Sequence, residues 1–164
     1  MLIALKEMTA ENRRILEQMF QYYLYDMSEF TGWSLSEDGS FSYPTDLLTP
    51  YWQEQDHYPY FIICNDEVAG FCLLRRLSAD RIIWDMGQFF VLRKFRRHKL
   101  GEMAFEKAIT LHTGQWQVRV LIANKPAYQF WKRSVTVVSK GNFAETVGSY
   151  LGAKMTYFTF RSEP

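Results

Sequence analysis

Cysteine is nearly absent: Cys64 and Cys72 are the only two in the chain. No histidine stands at metal-ligand spacing from either. A disulfide-stapled scaffold and a zinc site are therefore not expected, and no metal is assigned. If the two flank a hairpin turn near Asn65-Asp66, they lie at different depths along it and do not face each other. Reduced, strand-borne cysteines suit a cytoplasmic protein. No apolar run approaches the roughly 18 residues that span a bilayer, and the N-terminus lacks a signal-peptide hydrophobic region. An excess of one charge is missing too. Nineteen Lys and Arg against 18 Asp and Glu give a net charge of +1, so no global field points to nucleic acid or an acidic partner. His57, His98 and His112 are scattered, with no serine or cysteine in triad-like context, so nucleophilic catalysis has little support.

What is present describes a folded globule. Apolar residues make up 48% and aromatics 17% of 164 residues, enough for a substantial core in one domain spanning residues 1–164. The pattern predicts a short strand at Leu2 to Leu5, then a helix capped by Thr9 with a stripe of Ile15, Met19, Tyr22 or Tyr23, and Met27. Residues 31–50 read as a loop with one short helix near Asp46, and Tyr58–Cys64 with Val68–Leu77 as a hairpin. A buried strand follows from Ile82 to Leu92, then a helix to about Thr113 and a strand from Gln115 to Ala123. Asn124-Lys125-Pro126 opens a further helix to about Arg133. Strand-like segments at Val135–Ser139 and Met155–Phe160 end the chain. This order predicts an α/β (α+β) domain with a mixed sheet flanked by helices.

The junction from Arg93 to Gly101 carries the chemistry. Five of the seven residues from Arg93 to Lys99 are Lys or Arg, and they stand between the buried strand and the next helix. First-turn amides have no intrahelical partner, and the helix dipole adds positive potential there. A phosphate fits such a place. Short basic runs are also common as plain solvated surface, and that reading stands beside the first.

The turn Arg96-Arg97-His98-Lys99-Leu100-Gly101 resembles the signature Arg or Gln-x-x-Gly-x-Gly or Ala of the GNAT acetyltransferase superfamily. Asn124-x-x-Ala127-x-x-Phe130-Trp131 is similar to that family's second motif, Asn-x-x-Ala-x-x-Phe or Leu-Tyr. One helix and one strand separate the two, as in the family, and the resemblance covers nearly the whole chain. Two departures stand out. Lys99 replaces the first glycine, and Trp131 replaces a tyrosine that in relatives protonates the leaving thiolate.

The resemblance implies a mostly antiparallel sheet with one splayed parallel strand pair, and acetyl-CoA as cosubstrate. Amides of Arg97 to Glu102 would hold the pyrophosphate, with Arg96 and its neighbours supplying charge and His98 belonging to the same loop. The pantetheine arm would pair with the strand backbone at Phe89 to Val91, where the amide of Phe90 or Val91 would polarise the thioester carbonyl. Asp85, six residues before Val91, is the candidate base. The alternative pairs Asp85 with a local arginine such as Arg81. Gln88 would orient substrate or water. Asn124, Ala127, Phe130 and Trp131 would line the cofactor channel, and Tyr25, Asp26 and Glu29 on the first helix would attract a cationic acceptor.

The leading expectation is direct acetyl transfer to a primary amine, on a small molecule or a peptide, within a ternary complex. The rival is a GNAT-fold acyl-CoA-binding or regulatory module without transfer activity, encouraged by Lys99 and Trp131. A third reading is a plain interaction domain. Neither nucleic acid nor membrane is expected as a partner, and a homodimer is left open.

Overall fold

In the computed structural model, which describes residues 1–77 and 82–163, seven strands form one sheet in the order β1-β2-β3-β4-β5-β7-β6. The strands are β1 (Ile3–Glu7), β2 (His57–Cys64), β3 (Glu67–Leu77), β4 (Ile83–Val91), β5 (Gly114–Leu121), β6 (Phe143–Tyr150) and β7 (Ala153–Ser162). Every neighbouring pair is antiparallel except β4 and β5. The helices are α1 (Arg13–Thr31), the single turn α2 (Pro50–Gln53), α3 (Leu100–Leu111) and α4 (Lys125–Val138).

Strand alternation sends side chains to two cores, one on each sheet face. One face of β3 and β4 presents Phe71, Leu73 and Phe90 to Leu16, Met19, Phe20 and Leu24 of α1 and to Tyr51 of α2. The other presents Cys72, Leu74 and Met86, which join Trp116, Val118, Phe158 and Phe160 under Phe105 of α3 and Trp131 of α4. Cys64 and Cys72 are both buried free thiols, opposite Glu67 and Tyr60 in the hairpin register.

Two expectations are corrected. The buried stripe of α1 is Leu16, Met19, Phe20 and Leu24, with Tyr23 partly buried against it; of the expected stripe Met19 and Tyr23 face the core, while Ile15 and Tyr22 are exposed. The helix starts at Arg13, after a 3-10 turn at Ala10–Asn12 that carries the Thr9 cap. Val135–Ser139 is not a strand: α4 continues through Val138, with Val135 fully buried. Its β-branched run reads as strand by propensity, but packing against the sheet outweighs that preference. The edge strand β6 follows only from Phe143.

The parallel pair positions the site. β4 and β5 are in register only from Ile83–Gln115 to Met86–Val118. β4 runs on to Val91 and β5 to Leu121, so the two strands part and leave the β5-facing edge of 87–91 unpaired. The divergence begins at a bulge: Leu74 faces Met86 and Leu73 faces Gln88, leaving Gly87 as the extra residue of β4. A side chain at Gly87 would stand 2.5 Å from the Tyr51 hydroxyl and 3.1 Å from the Leu73 carbonyl oxygen, so only glycine fits the bulge.

Candidate active site

A cleft of about 760 Å³ opens where β4 and β5 part. Its walls are the 86–91 stretch of β4, the turn into α3, the first half of α4, and Asp26, Met27, Glu29 and Phe30 of α1. Gln88, Phe89, Phe90, Val91, Arg96, Arg97, Lys99, Leu100, Gly101, Glu102, Asn124, Ala127, Phe130 and Trp131 all line this one cleft. The sequence motifs at the α3 and α4 N-termini thus converge in space.

The turn is built from left-handed backbone. Arg97 has φ +68° and Lys99 φ +58°. Lys99 is the N-cap residue of α3, and its carbonyl accepts from the Met103 amide at 3.0 Å. A lysine here takes the conformation glycine adopts freely, at a cost of roughly 1–2 kcal/mol. Gly101 lies close under Phe130, where an added Cβ would sit 3.1 Å from the ring. This approach brings the α3 N-terminus against α4 and aims its first-turn amides at the cleft.

The cations divide into two groups. Arg93 and Arg96 both pair with Asp26, Arg93 at 3.0 Å, and Arg96 Nε also donates to the Val91 carbonyl at 2.8 Å. Lys94 pairs with Glu67 at 2.6 Å on the outer surface. Arg97 and Lys99, both exposed on the cleft rim, have no ion pair among the described residues. Exposed cations, first-turn amides without intrahelical partners and the open edge of β4 form a surface that fits an anionic phosphate followed by an amide-bearing arm.

Asn124 caps α4 by accepting from the Ala127 amide at 3.0 Å, with Pro126 in the first turn. Trp131 is buried, with its ring 5.2 Å from Phe89 and 5.1 Å from Phe105. The indole packs between β4 and α3 while lining the cleft. Phe89 stacks on Phe130 at 6.1 Å, so one aromatic wall joins β4 to α4.

Other expected residues lie elsewhere or are already engaged. His98 is exposed and Tyr25 is 60% exposed, and neither lines the cleft. Asp26 lines it, but its carboxylate is taken by the two arginines, leaving Glu29 as the acidic group expected there that keeps no ion pair among the described residues.

Asp85 is fully buried beneath the divergence point. It accepts from Arg75 Nε at 2.7 Å, from Arg119 Nη2 at 2.9 Å and Nε at 3.2 Å, and from Gln117 Nε2 at 3.0 Å. Four hydrogen bonds occupy the four lone-pair sites of a carboxylate, so a base here would have to break one of them. The geometry gives Asp85 a structural role as the anchor of two buried guanidiniums. The alternative partner Arg81 lies outside the described residues.

Arg75, Arg119 and Tyr150 at this ion cluster carry no local signal in the sequence. Arg119 alternates with Val118 and Val120 on β5, a pattern that reads as a solvated face, yet its side chain is only 6% exposed. The buried carboxylate that holds it sits 34 residues away in sequence, so no local signal announces the pair. Among the described residues no three His, Cys, Asp or Glu side chains cluster as metal ligands, and no helix is long and apolar enough to cross a membrane.

A family model described as acetyltransferase (GNAT) family matches residues 19–135. No curated protein matches the chain. Among solved structures, Arabidopsis thaliana NAA60 in complex with a bisubstrate analogue is similar with a TM-score of 0.65 at 12% identity, covering 98% of each chain. Vibrio cholerae spermidine N-acetyltransferase in complex with CoA and spermine gives 0.64 at 10% identity, over 98% of this chain and 95% of that one. The aminoglycoside acetyltransferase AAC(6')-Ib in complex with coenzyme A gives 0.68 at 13% identity, over 98% and 95%. At such identities the likeness is one of fold, and it extends over nearly the full chain. With the family match running from inside α1 to near the end of α4, and so over both motifs and the divergent strand pair, the chain belongs to the acetyltransferase (GNAT) family, whose cosubstrate is acetyl-CoA.

Proposed function

We propose that residues 1–164 form one acetyl-CoA-dependent N-acetyltransferase domain that passes the acetyl group directly to a primary amine in a ternary complex. The observation that carries this reading is the continuous cleft from the α3 N-terminus along the unpaired edge of β4 to the Gly87 bulge. Acetyl-CoA supplies the activated thioester. Arg97, Lys99 and the first-turn amides of α3 bind its phosphates, and Arg96 holds the turn by its bonds to Val91 and Asp26. An amide of the unpaired edge, at Phe90 or Val91, stabilises the oxyanion, and Gln88 orients the acceptor or a water. Phe89, Phe130 and Trp131 exclude water from the channel. Juxtaposition of the two substrates supplies much of the acceleration.

The amine class is supported by the structural relative that holds spermine beside CoA. A cytoplasmic location accords with two buried free thiols. The non-catalytic alternative rests on Lys99 at the left-handed cap of α3 and on Trp131, which brings no phenol to the α4 side of the cleft. A thermal-shift titration tests the binding half: acetyl-CoA at millimolar concentration raises Tm by mass action. An unmoved Tm with a folded protein would remove the cleft as its site. Turnover against an amine panel separates enzyme from binding module.

A further inference from the structure

Tyr150, the last residue of β6, lies outside both sequence motifs, yet it lines the same cleft as Phe89 and Trp131. Its ring covers the guanidinium of Arg119, whose Cζ is 3.7 Å from the ring centroid. Its hydroxyl accepts a hydrogen bond from Arg75 Nη2 at 3.1 Å. Both guanidiniums are held from below by Asp85. The charged groups facing the phenol therefore come from three strands: Arg75 of β3, Asp85 of β4 and Arg119 of β5. They amount to two cations and one anion. With a neutral phenol the cluster is one negative charge short of balance, and a phenolate supplies that charge. The Arg75 N–H occupies one lone pair of the phenol oxygen, which leaves the O–H free to donate elsewhere.

Two other tyrosines stand near this cluster and differ from it. Burial pushes Tyr23 up to about 12 and Tyr51 well above the ordinary phenol range, and neither has an arginine hydrogen-bonded to its oxygen among the described residues. Burial raises Tyr150 as well, but Arg119 and Arg75 together outweigh it and hold the phenol below its ordinary value.

We propose that Tyr150 is the general acid of the transfer, protonating the sulfur as it departs. The proposal rests on the reading of the cleft as a transferase site, and it places on β6 a function that Trp131 cannot perform from α4. As the C–S bond breaks, its electron pair goes to sulfur and sulfur takes the proton of the Tyr150 hydroxyl. The resulting phenolate is balanced by Arg75 and Arg119. The proton lost from the acceptor nitrogen restores the phenol through solvent, so the residue is unchanged over a cycle.

The test begins with calorimetric titration of the wild type by acetyl-CoA and with turnover on spermine, kanamycin, free lysine and a short peptide with a free amino terminus. Tyr150→Phe keeps the ring over Arg119 and removes only the hydroxyl. The expected result is acetyl-CoA affinity within about twofold, kcat lower by about a hundredfold, and KM nearly unmoved. Wild-type activity falls as alkaline pH converts Tyr150 to phenolate, which has no proton to give, and this limb vanishes in the variant. Independently, a titration of the protein labelled with 13Cζ-tyrosine, its Tyr150 signal assigned by loss in Tyr150→Phe, shows this phenol ionising below the ordinary value of about 10. An unchanged kcat and pH profile in the variant, or a Tyr150 signal titrating at or above the ordinary value, overturns the proposal. A wild type that binds no acetyl-CoA overturns the transferase reading itself, and this assignment with it. Binding and turnover with a full-rate variant remove Tyr150 alone. If no amine on the panel is acetylated, the tyrosine titration decides.

Discussion

At the scale of single residues, the decisive contrast lies between two charge sets of opposite design, one buried and one exposed. Asp85 and its arginines are closed: every carboxylate lone pair is used, and the anion serves to hold Arg75 and Arg119 in place. The cations of the α3 turn are open, because Arg97 and Lys99 end on the cleft rim. Closed charges govern stability and open ones govern binding. Asp85→Asn leaves two guanidiniums without their counter-charge, and removing one partner of a buried ion pair costs roughly 3–5 kcal/mol. Chemical denaturation should register that loss with acetyl-CoA absent. A variant of wild-type stability with an altered pH–rate profile would instead restore Asp85 as the base. Arg97→Ala should leave the fold intact and weaken acetyl-CoA, since one charge-assisted hydrogen bond is worth roughly 1.5–3 kcal/mol, or about tenfold or more in affinity. Calorimetric titration reads this directly, and equal affinity would move the phosphates away from Arg97. Lys99→Gly relieves a left-handed backbone and removes one charge, so affinity should change less than in Arg97→Ala.

At the scale of elements, the cleft depends on where helices begin and where strands part. Lys99 and Asn124 mark the N-termini of α3 and α4, and each starts with its first turn facing the cleft. Asn124 does more than cap: its Nδ2 also approaches the Met27 sulfur at 3.7 Å, joining α4 to α1 across the cleft mouth. Asn124→Ala should lower stability by about 1 kcal/mol, the usual worth of an N-cap side chain. Urea denaturation measures it, and an unchanged midpoint would mean that the helix start is held by Pro126 and packing alone. Both motifs were legible in the sequence because each is local, a cap and a first turn written in consecutive residues. The strand expected at Val135–Ser139 was misread because β-branched propensity is also local, whereas the contact that keeps Val135 helical is not.

At the scale of the whole molecule, two cores meet at one sheet, and the cleft passes between the helices of both. The far end of the same sheet carries a pH-sensitive joint. His112, just past α3, hydrogen-bonds the Tyr60 hydroxyl through Nε2 at 3.0 Å and packs tilted against Trp84, with ring centroids 4.2 Å apart. Burial first, and the nearby Arg76 second, lower its pKa below the ordinary imidazole value. A histidine held neutral in the fold contributes stability that is complete above its unfolded pKa of about 6.5 and is lost as pH falls from there through the lowered folded value. Tm should therefore drop across that window. His112→Gln, which cannot titrate, should show a flatter Tm in the same range, and parallel curves would exclude His112 as the cause.

The sequence alone determined the elements and their order from β1 to the start of α4, and the two helix N-termini that face the cleft, because period, capping and turn chemistry act between near neighbours; the end of α4 and the edge strand β6 came only with the fold. It also carried the family, since both motifs lie on such local features. The tertiary structure alone decided which charges are free. Asp26 is paired with Arg93 and Arg96 from about 70 residues away, and Asp85 gathers Arg75 and Arg119 from two neighbouring strands. Such pairings are chosen by register, by the Gly87 bulge and by the parting of β4 from β5. Coulomb attraction and desolvation depend on distance in space, and only the folded sheet sets that distance.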